Sequence, residues 1–272
     1  ALAPHDGSLG RLRRMLEPSF KKIGTHPADP DGHIFFIHGF SGHSLKTWVA
    51  KPAVEGWPHW LAREFPRLAI WSIKYQASPS RHWGGNMSLR ERAIQLFEEM
   101  DGINLLDGQP KLFICHSLGG LVIKQILRTA SEEYEPKERG EAFVSSVKGI
   151  LFLGTPHKGS RWANYLQRLK GPFTNSKALK DLKANNEVLK SLFQWFRIHN
   201  QRWRVKSFYE TKRYLGLVLI VSEESADPGF LHNVTDLVPL DADHLSICKP
   251  RSNLEQQYVA SRKIIKELFG QQ

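Results

Sequence analysis

Residues 115–120 combine the residue types that a serine nucleophile needs. They read Cys-His-Ser-Leu-Gly-Gly and join an apolar stretch that predicts a buried strand, 112–115, to one that predicts a helix, 121–127. A strand that passes directly into a helix strains the joint residue and lifts its side chain above the sheet. The helix N-terminus then directs free N–H groups to the place where an oxyanion would form. We therefore predict that Ser117 is a nucleophile for acyl transfer.

The turn departs from a complete Gly-x-Ser-x-Gly pattern, because Cys115 takes the first glycine position. A small side chain fits there more readily than a large one, so the departure weakens the pattern without removing it. The alternative interpretation is a strand-to-helix turn of some other α/β protein, in which Ser117 only caps the helix. Partners elsewhere in the sequence must decide between the two.

A general base for Ser117 is available in His244. Acyl transfer by serine needs a base that accepts the hydroxyl proton and an acid that orients this base. His244 follows the last predicted strand, and it comes after Ser117 in the chain, as a base of this chemistry does on α/β sheets. The alternative role is that of a histidine in a surface loop.

The acid is predicted to follow the apolar stretch 217–221, which reads as a buried strand. Three carboxylates stand just beyond it, and we favour Glu224 because it precedes a Ser-Ala turn. Glu223 is the second choice and Asp227 the third. The order nucleophile, acid, base would then be complete.

An oxyanion hole would use the backbone N–H of Leu118 and one from the loop after the first strong strand, 34–37. That loop reads His-Gly-Phe-Ser-Gly, and Phe40 is the best-placed donor. A glycine-rich turn directly after a buried strand leaves N–H groups free to face a ligand. The alternative is a tight turn with no chemical role.

The predicted strands alternate with helical segments and are apolar throughout. Such strands form a mostly parallel sheet that helices cover on both faces, and ligands bind at the carboxyl ends of its strands. The residues named above fall at those ends. We predict one α/β domain, 1–272, with a basic helical cap inserted at 161–213. The predicted strands are 34–37, 68–73, 112–115, 147–153, 217–221 and 236–240, and the predicted helices include 57–65, one that a capping box opens at Ser88, and 254–269.

The net charge of +11 belongs to one segment. Residues 158–213 hold fourteen Lys and Arg against three Asp and Glu, and the remainder holds 24 of each sign. Aromatic residues interleave with these cations, which favours a lid that docks on an anionic membrane. The alternative is a helical cap whose charges are only solvated. No nucleic-acid-binding motif accompanies the charge, so nucleic acid is not an expected partner.

Composition narrows the remaining classes. No apolar run reaches the length of a membrane span, and no Cys/His cluster has metal-ligand spacing, so we expect neither a metal nor a cofactor. Two cysteines form no disulfide framework, which favours an intracellular location, peripheral to a membrane if the cap docks there. The chain starts Ala-Leu-Ala-Pro, as a trimmed chain would, so targeting information is expected to be missing.

Four motifs together resemble the lipase-like α/β-hydrolases, in the branch that includes the serine-active-site-containing and GPI inositol-deacylase proteins. They are the stretch from His38 to Trp48, residues 115–120, the Gly-Thr-Pro-His-Lys-Gly-Ser run at 154–160, and Asp243-His244 with the Ile-Cys-Lys that follows. The resemblance implies an α/β-hydrolase fold and hydrolysis or acyl transfer at a lipid-like carboxylic ester. Similar domains are fused to regulatory modules, so regulatory partners are implied. The competing hypothesis is an idle hydrolase fold that serves as a binding or signalling module of a larger protein.

Overall fold

A computed structural model describes residues 19–40, 42–75, 87–158, 187–229 and 236–270. The strands of these residues form one sheet in the order β1-β3-β2-β4-β5-β6-β7. β1 is antiparallel to β3, and the other neighbouring pairs are parallel. The strands are β1 (Phe20–Ile23), β2 (Gly32–Ile37), β3 (Leu68–Ile73), β4 (Lys111–His116), β5 (Val147–Leu153), β6 (Arg204–Glu210) and β7 (Leu237–Leu240).

Helices cover both faces of this sheet and separate two apolar cores. α2, α3, α4 and α5 contribute to the core on one face, and α1 and α7 contribute to the core on the other. This confirms the predicted α/β class and the mostly parallel sheet. Among the described helices, none has the length and apolarity to cross a bilayer. The helices are α1 (Trp57–Glu64), α2 (Leu89–Gly102), α3 (Leu118–Glu132), α4 (Lys137–Ser146), α5 (Glu187–His199), α6 (Glu223–Ala226) and α7 (Gln256–Phe269).

The start of α2 confirms the predicted capping box. The hydroxyl of Ser88 accepts a hydrogen bond from the backbone N–H of Glu91, and the Glu91 carboxylate accepts one from the backbone N–H of Ser88. Two N–H groups that the helix itself cannot satisfy are thereby paired. Four apolar side chains at helical spacing then face the core, at Ala93, Leu96, Phe97 and Met100.

The predicted strand at 217–221 is wrong. In this stretch the backbone forms a turn, in which the N–H of Tyr214 donates to the carbonyl of Val218 at 2.8 Å. The sheet instead takes its sixth strand from β6, which reads Arg-Val-Lys-Ser-Phe-Tyr-Glu. Polar residues are interspersed with apolar ones along β6. The reason is that β6 lies near the edge of the sheet and is only partly covered. A strand of this kind shows no continuous apolar run.

The predicted cap, 161–213, extends too far toward the C-terminus. α5 packs on α3 through four buried apolar residues, and β6 pairs with both β5 and β7. Residues 187–210 therefore belong to the sheet domain rather than to an insertion. Four of their cations form ion pairs with carboxylates: Lys190 with Glu187, Arg202 with Glu141, and both Arg204 and Lys206 with Asp236. The rest of the predicted cap, apart from 211–213, lies outside the described residues.

Candidate active site

Ser117 occupies a strained turn between β4 and α3, as the sequence predicts. Its backbone has φ 53° and ψ −123°, in the region of positive φ that side chains other than glycine rarely adopt. Its N–H donates to the carbonyl of Leu153 at 3.0 Å, which ties the turn to the end of β5. The side chain is 1% exposed. The turn therefore presents one hydroxyl at the carboxyl edge of the sheet.

Close backbone approach explains two of the glycines around this turn. A Cβ atom at Gly39 would lie 2.7 Å from the Cβ of Ser117, and one at Gly119 would lie 2.3 Å from the carbonyl oxygen of Ile37. The loop after β2 and the first turn of α3 thus meet directly at the serine. Cys115, the residue that breaks the glycine pattern, is fully buried in the apolar core, and burial raises the pKa of its thiol. It acts there as a small core residue.

Three side chains form a continuous hydrogen-bonded chain at this turn. Oγ of Ser117 lies 3.0 Å from Nε2 of His244, and Nδ1 of His244 lies 2.8 Å from Oε2 of Glu210. All three residues are at most 2% exposed. Because a carboxylate only accepts hydrogen bonds, Nδ1 carries the imidazole proton and Nε2 is free to accept one from Ser117. The structure thus brings the predicted nucleophile and the predicted base together.

The carboxylate against His244 is that of Glu210, so the prediction that Glu224 holds this position is wrong. Oε1 of Glu210 accepts hydrogen bonds from the backbone N–H groups of Ile220 at 2.5 Å and Val221 at 2.9 Å. Its Oε2 faces the imidazole of His244. Both oxygens of the carboxylate are therefore held in place. Glu210 is the last residue of β6, and the mixed polarity of that strand hides it from a search for acids after apolar strands.

The alternative acids lie elsewhere. Glu223 and Glu224 are exposed at the start of α6. The carboxylate of Asp227 lies 3.6 Å from Nζ of Lys158. A signal for Glu210 does exist in the sequence, since it is one of only three acids in the strongly basic segment 158–213.

Gly154 makes room for the pair of base and acid. It follows β5 with φ +58°, and a Cβ atom there would lie 3.2 Å from Nδ1 of His244 and 3.6 Å from Oε2 of Glu210. A side chain at this position would press on the hydrogen bond between the two groups. A glycine at the start of the 154–160 motif therefore avoids crowding the candidate base and acid.

Two further histidines hold the loops that carry the site. Nε2 of His116 donates to the carbonyl of His244 at 2.8 Å, and Nδ1 of His38 donates to the carbonyl of Gly39 at 2.9 Å. The hydroxyl of Tyr75 also donates to the carbonyl of His38 at 2.6 Å, with the two rings stacked. Burial lowers the pKa of His116 well below its ordinary value and that of His38 to about 4. Sequence reasoning did not assign these positioning roles.

The two predicted oxyanion donors occupy compatible positions. Leu118 is the first residue of α3, and the N–H groups of a first helical turn have no partner within the helix. Phe40 follows Gly39, whose backbone lies against Ser117. Both residues therefore border the nucleophile, one from the helix and one from the loop after β2.

A buried polar cluster lies farther along α3. Nζ of Lys124, Oγ1 of Thr155 and both ring nitrogens of His157 are buried and have no hydrogen-bond partner among the residues that the structure describes. Nζ lies 4.1 Å from the ring centre of Phe196, and the His157 ring packs edge-on against Phe152. Burial lowers the pKa of Lys124 and that of His157 well below their ordinary values. The cluster costs stability because its polar groups leave water without gaining partners.

Replacing Lys124 by methionine should raise the free energy of unfolding by about 1–2 kcal/mol, since it removes an unsatisfied amine and keeps a similar shape. Urea unfolding measures this change. The control is Lys190→Met on α5, where the lysine is exposed and pairs with Glu187. Destabilisation by Lys124→Met would instead show that the amine makes a favourable contact, such as the one with the Phe196 ring.

Stability is expected to fall as the pH drops below about 6.5, because His38, His116 and His157 have lowered pKa values. Below that pH these histidines bind protons in the unfolded chain but stay neutral in the folded chain. Each histidine then contributes a loss of about 1.4 kcal/mol per pH unit until its folded pKa is reached. Urea unfolding at several pH values measures the slope. His157→Phe keeps an aromatic side chain but removes the titrating group, so it should make the slope shallower. An unchanged slope would show that His157 does not contribute to the pH dependence.

Comparisons with known proteins bear on the fold and the relatives of the chain. No protein-family model matches the chain. Human SERAC1 is 30% identical over 283 residues, which cover 94% of this chain and 41% of the human protein. The chain thus spans about two fifths of the length of the curated relatives it matches.

Solved structures show the same fold. The mature lipase BlEst2 of Bacillus licheniformis has a TM-score of 0.58 at 15% identity, covering 93% of this chain and 99% of that one. The phospholipase PlaB of Legionella pneumophila has a TM-score of 0.53 at 13% identity, covering 75% and 46%. At these identities the likeness is one of fold. The chain therefore has the α/β-hydrolase fold, and its sequence is similar to that of the SERAC1 proteins.

Proposed function

We propose that the protein is a serine hydrolase that cleaves a carboxylic ester, or transfers its acyl group, through an acyl-enzyme at Ser117. The observation that carries this proposal is the buried chain of hydrogen bonds from Ser117 through His244 to Glu210. A serine hydroxyl becomes a useful nucleophile when an adjacent base accepts its proton and a third group orients that base. The strained turn at Ser117 adds support, since a turn of this kind lifts the serine hydroxyl above the carboxyl edge of the sheet.

The reaction follows from the positions of the protons. Nε2 of His244 accepts the hydroxyl proton while Oγ of Ser117 bonds to the ester carbonyl carbon, and the carbonyl oxygen becomes an oxyanion. The N–H groups of Leu118 and Phe40 would stabilise that oxyanion. Glu210 stabilises the imidazolium, which then returns its proton to the departing alkoxide. Water repeats the sequence on the acyl-enzyme, so the carboxylic acid leaves and Ser117 regains its proton.

The substrate that we propose is a lipid-like ester. Support comes from the fold, which lipases and a phospholipase share, and from the family resemblance of the motifs. Two buried free cysteines fit an intracellular location. Because the chain spans only part of its relatives, association with further regulatory domains also belongs to this proposal. An anionic membrane contact through residues 161–186 falls outside the described part of the chain.

A panel of p-nitrophenyl esters with acyl chains of increasing length tests the proposal. We expect release of nitrophenol that depends on Ser117, with higher kcat/KM for the longer chains. Ser117→Ala provides the blank, and a circular dichroism spectrum checks that both proteins are folded. Folded wild-type protein that hydrolyses none of the esters above the blank would favour the idle binding or signalling module.

A further inference from the structure

The loop formed by residues 211–219, here called the acid loop, starts and ends at the candidate acid. It leaves β6 directly after Glu210 and returns at Ile220 and Val221. The N–H groups of these two residues donate hydrogen bonds to the Glu210 carboxylate. Its first residues are tied to the loop that leads to His244: the N–H of Thr211 donates to Leu240 and that of Lys212 to Ala242. The acid loop therefore lies at the carboxyl edge of the sheet, beside the candidate active site.

The tip of the acid loop is tightly folded and apolar. Backbone hydrogen bonds from Tyr214 to Val218 and from Leu217 to Tyr214 close it. Two leucines at the tip face solvent, Leu215 with 74% of its surface exposed and Leu217 with 73%. Leu215 also has a positive φ of 50°, a backbone region that leucine rarely adopts. A fixed tip that exposes two large apolar side chains is typical of an interaction surface.

The chemistry around these leucines is that of a lipid interface. The acid loop contains two cations, Lys212 and Arg213, and no acid. Lys212 donates to the carboxylate of Asp241 at 2.8 Å, but both side chains are mostly exposed. An exposed ion pair of this kind is weak, so the ammonium can exchange its partner for a lipid phosphate at little cost. Tyr214, half-buried between the cations and the leucines, is a residue type that favours the boundary of apolar and wet surroundings.

The loop that leads to His244 also carries an exposed leucine. Leu245 follows His244 directly and is 41% exposed. Nζ of Lys212 also donates to the backbone carbonyl of Asp241, which joins the two loops. Exposed leucines thus follow both Glu210 and His244 closely in the chain. A lipid layer against these loops would lie at the edge of the sheet that holds Ser117.

We propose that the acid loop docks on an anionic lipid layer by inserting Leu215 and Leu217 among the acyl chains, with Lys212 and Arg213 against the phosphates. The proposal rests on the proposed function, since it supplies the lipid ester to Ser117. It does not need the chemistry to occur, so the two can fail separately. Two other occupants would fit this surface. One is a second copy of the chain, and the other is the acyl chain of a single substrate molecule.

Vesicle sedimentation with a Ser117→Ala background tests the docking without hydrolysis of the lipid. The double variant Leu215→Ser/Leu217→Ser should bind vesicles of phosphatidylcholine and phosphatidylserine at least about tenfold more weakly than its parent, because the two leucines that would insert among the acyl chains are lost. Lys212→Gln/Arg213→Gln should weaken binding to these vesicles by about tenfold or more and leave binding to pure phosphatidylcholine unchanged. The control is Val54→Ser/Leu254→Ser, which removes two apolar residues elsewhere that are even more exposed than the leucines of the tip.

Three results would overturn the docking proposal. They are no binding by the parent, equal binding by the leucine variant, and an equal loss in the Val54/Leu254 control. With Ser117 intact, the leucine variant should hydrolyse a soluble short-chain ester as the wild type does and lose rate only on vesicles. Loss of rate on monomeric long-chain esters alone would assign the leucines to acyl-chain binding instead. A change of oligomeric state in the leucine variant would assign them to a dimer.

Fluorescence gives a second measurement that does not depend on loss of binding. Both native cysteines, Cys115 and Cys248, are buried, so a thiol introduced by Leu217→Cys can be labelled selectively with an environment-sensitive dye. We expect the emission to shift to the blue when anionic vesicles are added. The same dye at Leu254→Cys should report no change. An equal response at both positions, or none at position 217, would contradict insertion of the tip.

Discussion

Replacing Ser117 by alanine is expected to lower kcat on a soluble ester by about 10⁴- to 10⁶-fold, because it removes the oxygen atom to which the acyl group would bond. The fold should survive, since the hydroxyl contacts Nε2 of His244 and does not cap α3. Initial rates and urea unfolding measure the two effects. Ser146→Ala, at the buried end of α4, is the control and should keep the wild-type kcat.

Residual hydrolysis by Ser117→Ala at a tenth of the wild-type rate or more would contradict this assignment; a loss of only about tenfold is what the removal of one weak contact gives. An equal loss in Ser146→Ala would show that the assay follows folding rather than chemistry.

Replacing Glu210 by glutamine should lower kcat by about 10⁴-fold, the scale seen when the carboxylate of a serine triad becomes an amide. The amide oxygen can still accept the N–H groups of Ile220 and Val221, so its NH₂ would face Nδ1 of His244. A donor at that point favours the tautomer that carries its proton on Nε2. His244 could then no longer accept the proton of Ser117.

The matched controls are Glu224→Gln and Glu223→Gln, which replace exposed carboxylates on α6. Each should stay within about twofold of the wild type, as surface substitutions away from a site do. Measurements of kcat and KM on a soluble ester compare the three variants. A large loss in Glu224→Gln together with a small one in Glu210→Gln would restore the acid that the sequence alone suggested.

The outcome for Glu210 shows how far sequence reasoning reaches in this fold. The turn at Ser117 was predictable because its strand is buried on both faces, so β4 reads as one apolar run. β6 lies nearer the edge of the sheet, and its exposed positions carry Arg204 and Lys206. Its last residue therefore looks like part of a basic helical segment. The apolar run at 217–221 reads as a strand although it forms only the turn and return of the acid loop.

The basic segment illustrates a second limit. Charge counting located the excess of cations in residues 158–213, but it could not tell which of them belong to the sheet domain. The amphipathic helix α5 has the periodicity of a cap helix, and only the packing of its buried face on α3 shows otherwise. Side-chain partners such as Asp236, which pairs with Arg204 from the start of the next strand, were not visible in the sequence.

The most direct measurement of the central claim is the covalent labelling of Ser117. A fluorophosphonate reacts with a serine hydroxyl only where a base activates it. We expect one phosphonyl group per folded chain, located by peptide mass spectrometry on Ser117, and strongly slowed labelling in Glu210→Gln. Folded wild-type protein that stays unlabelled, or that carries the label on another serine, would contradict the account.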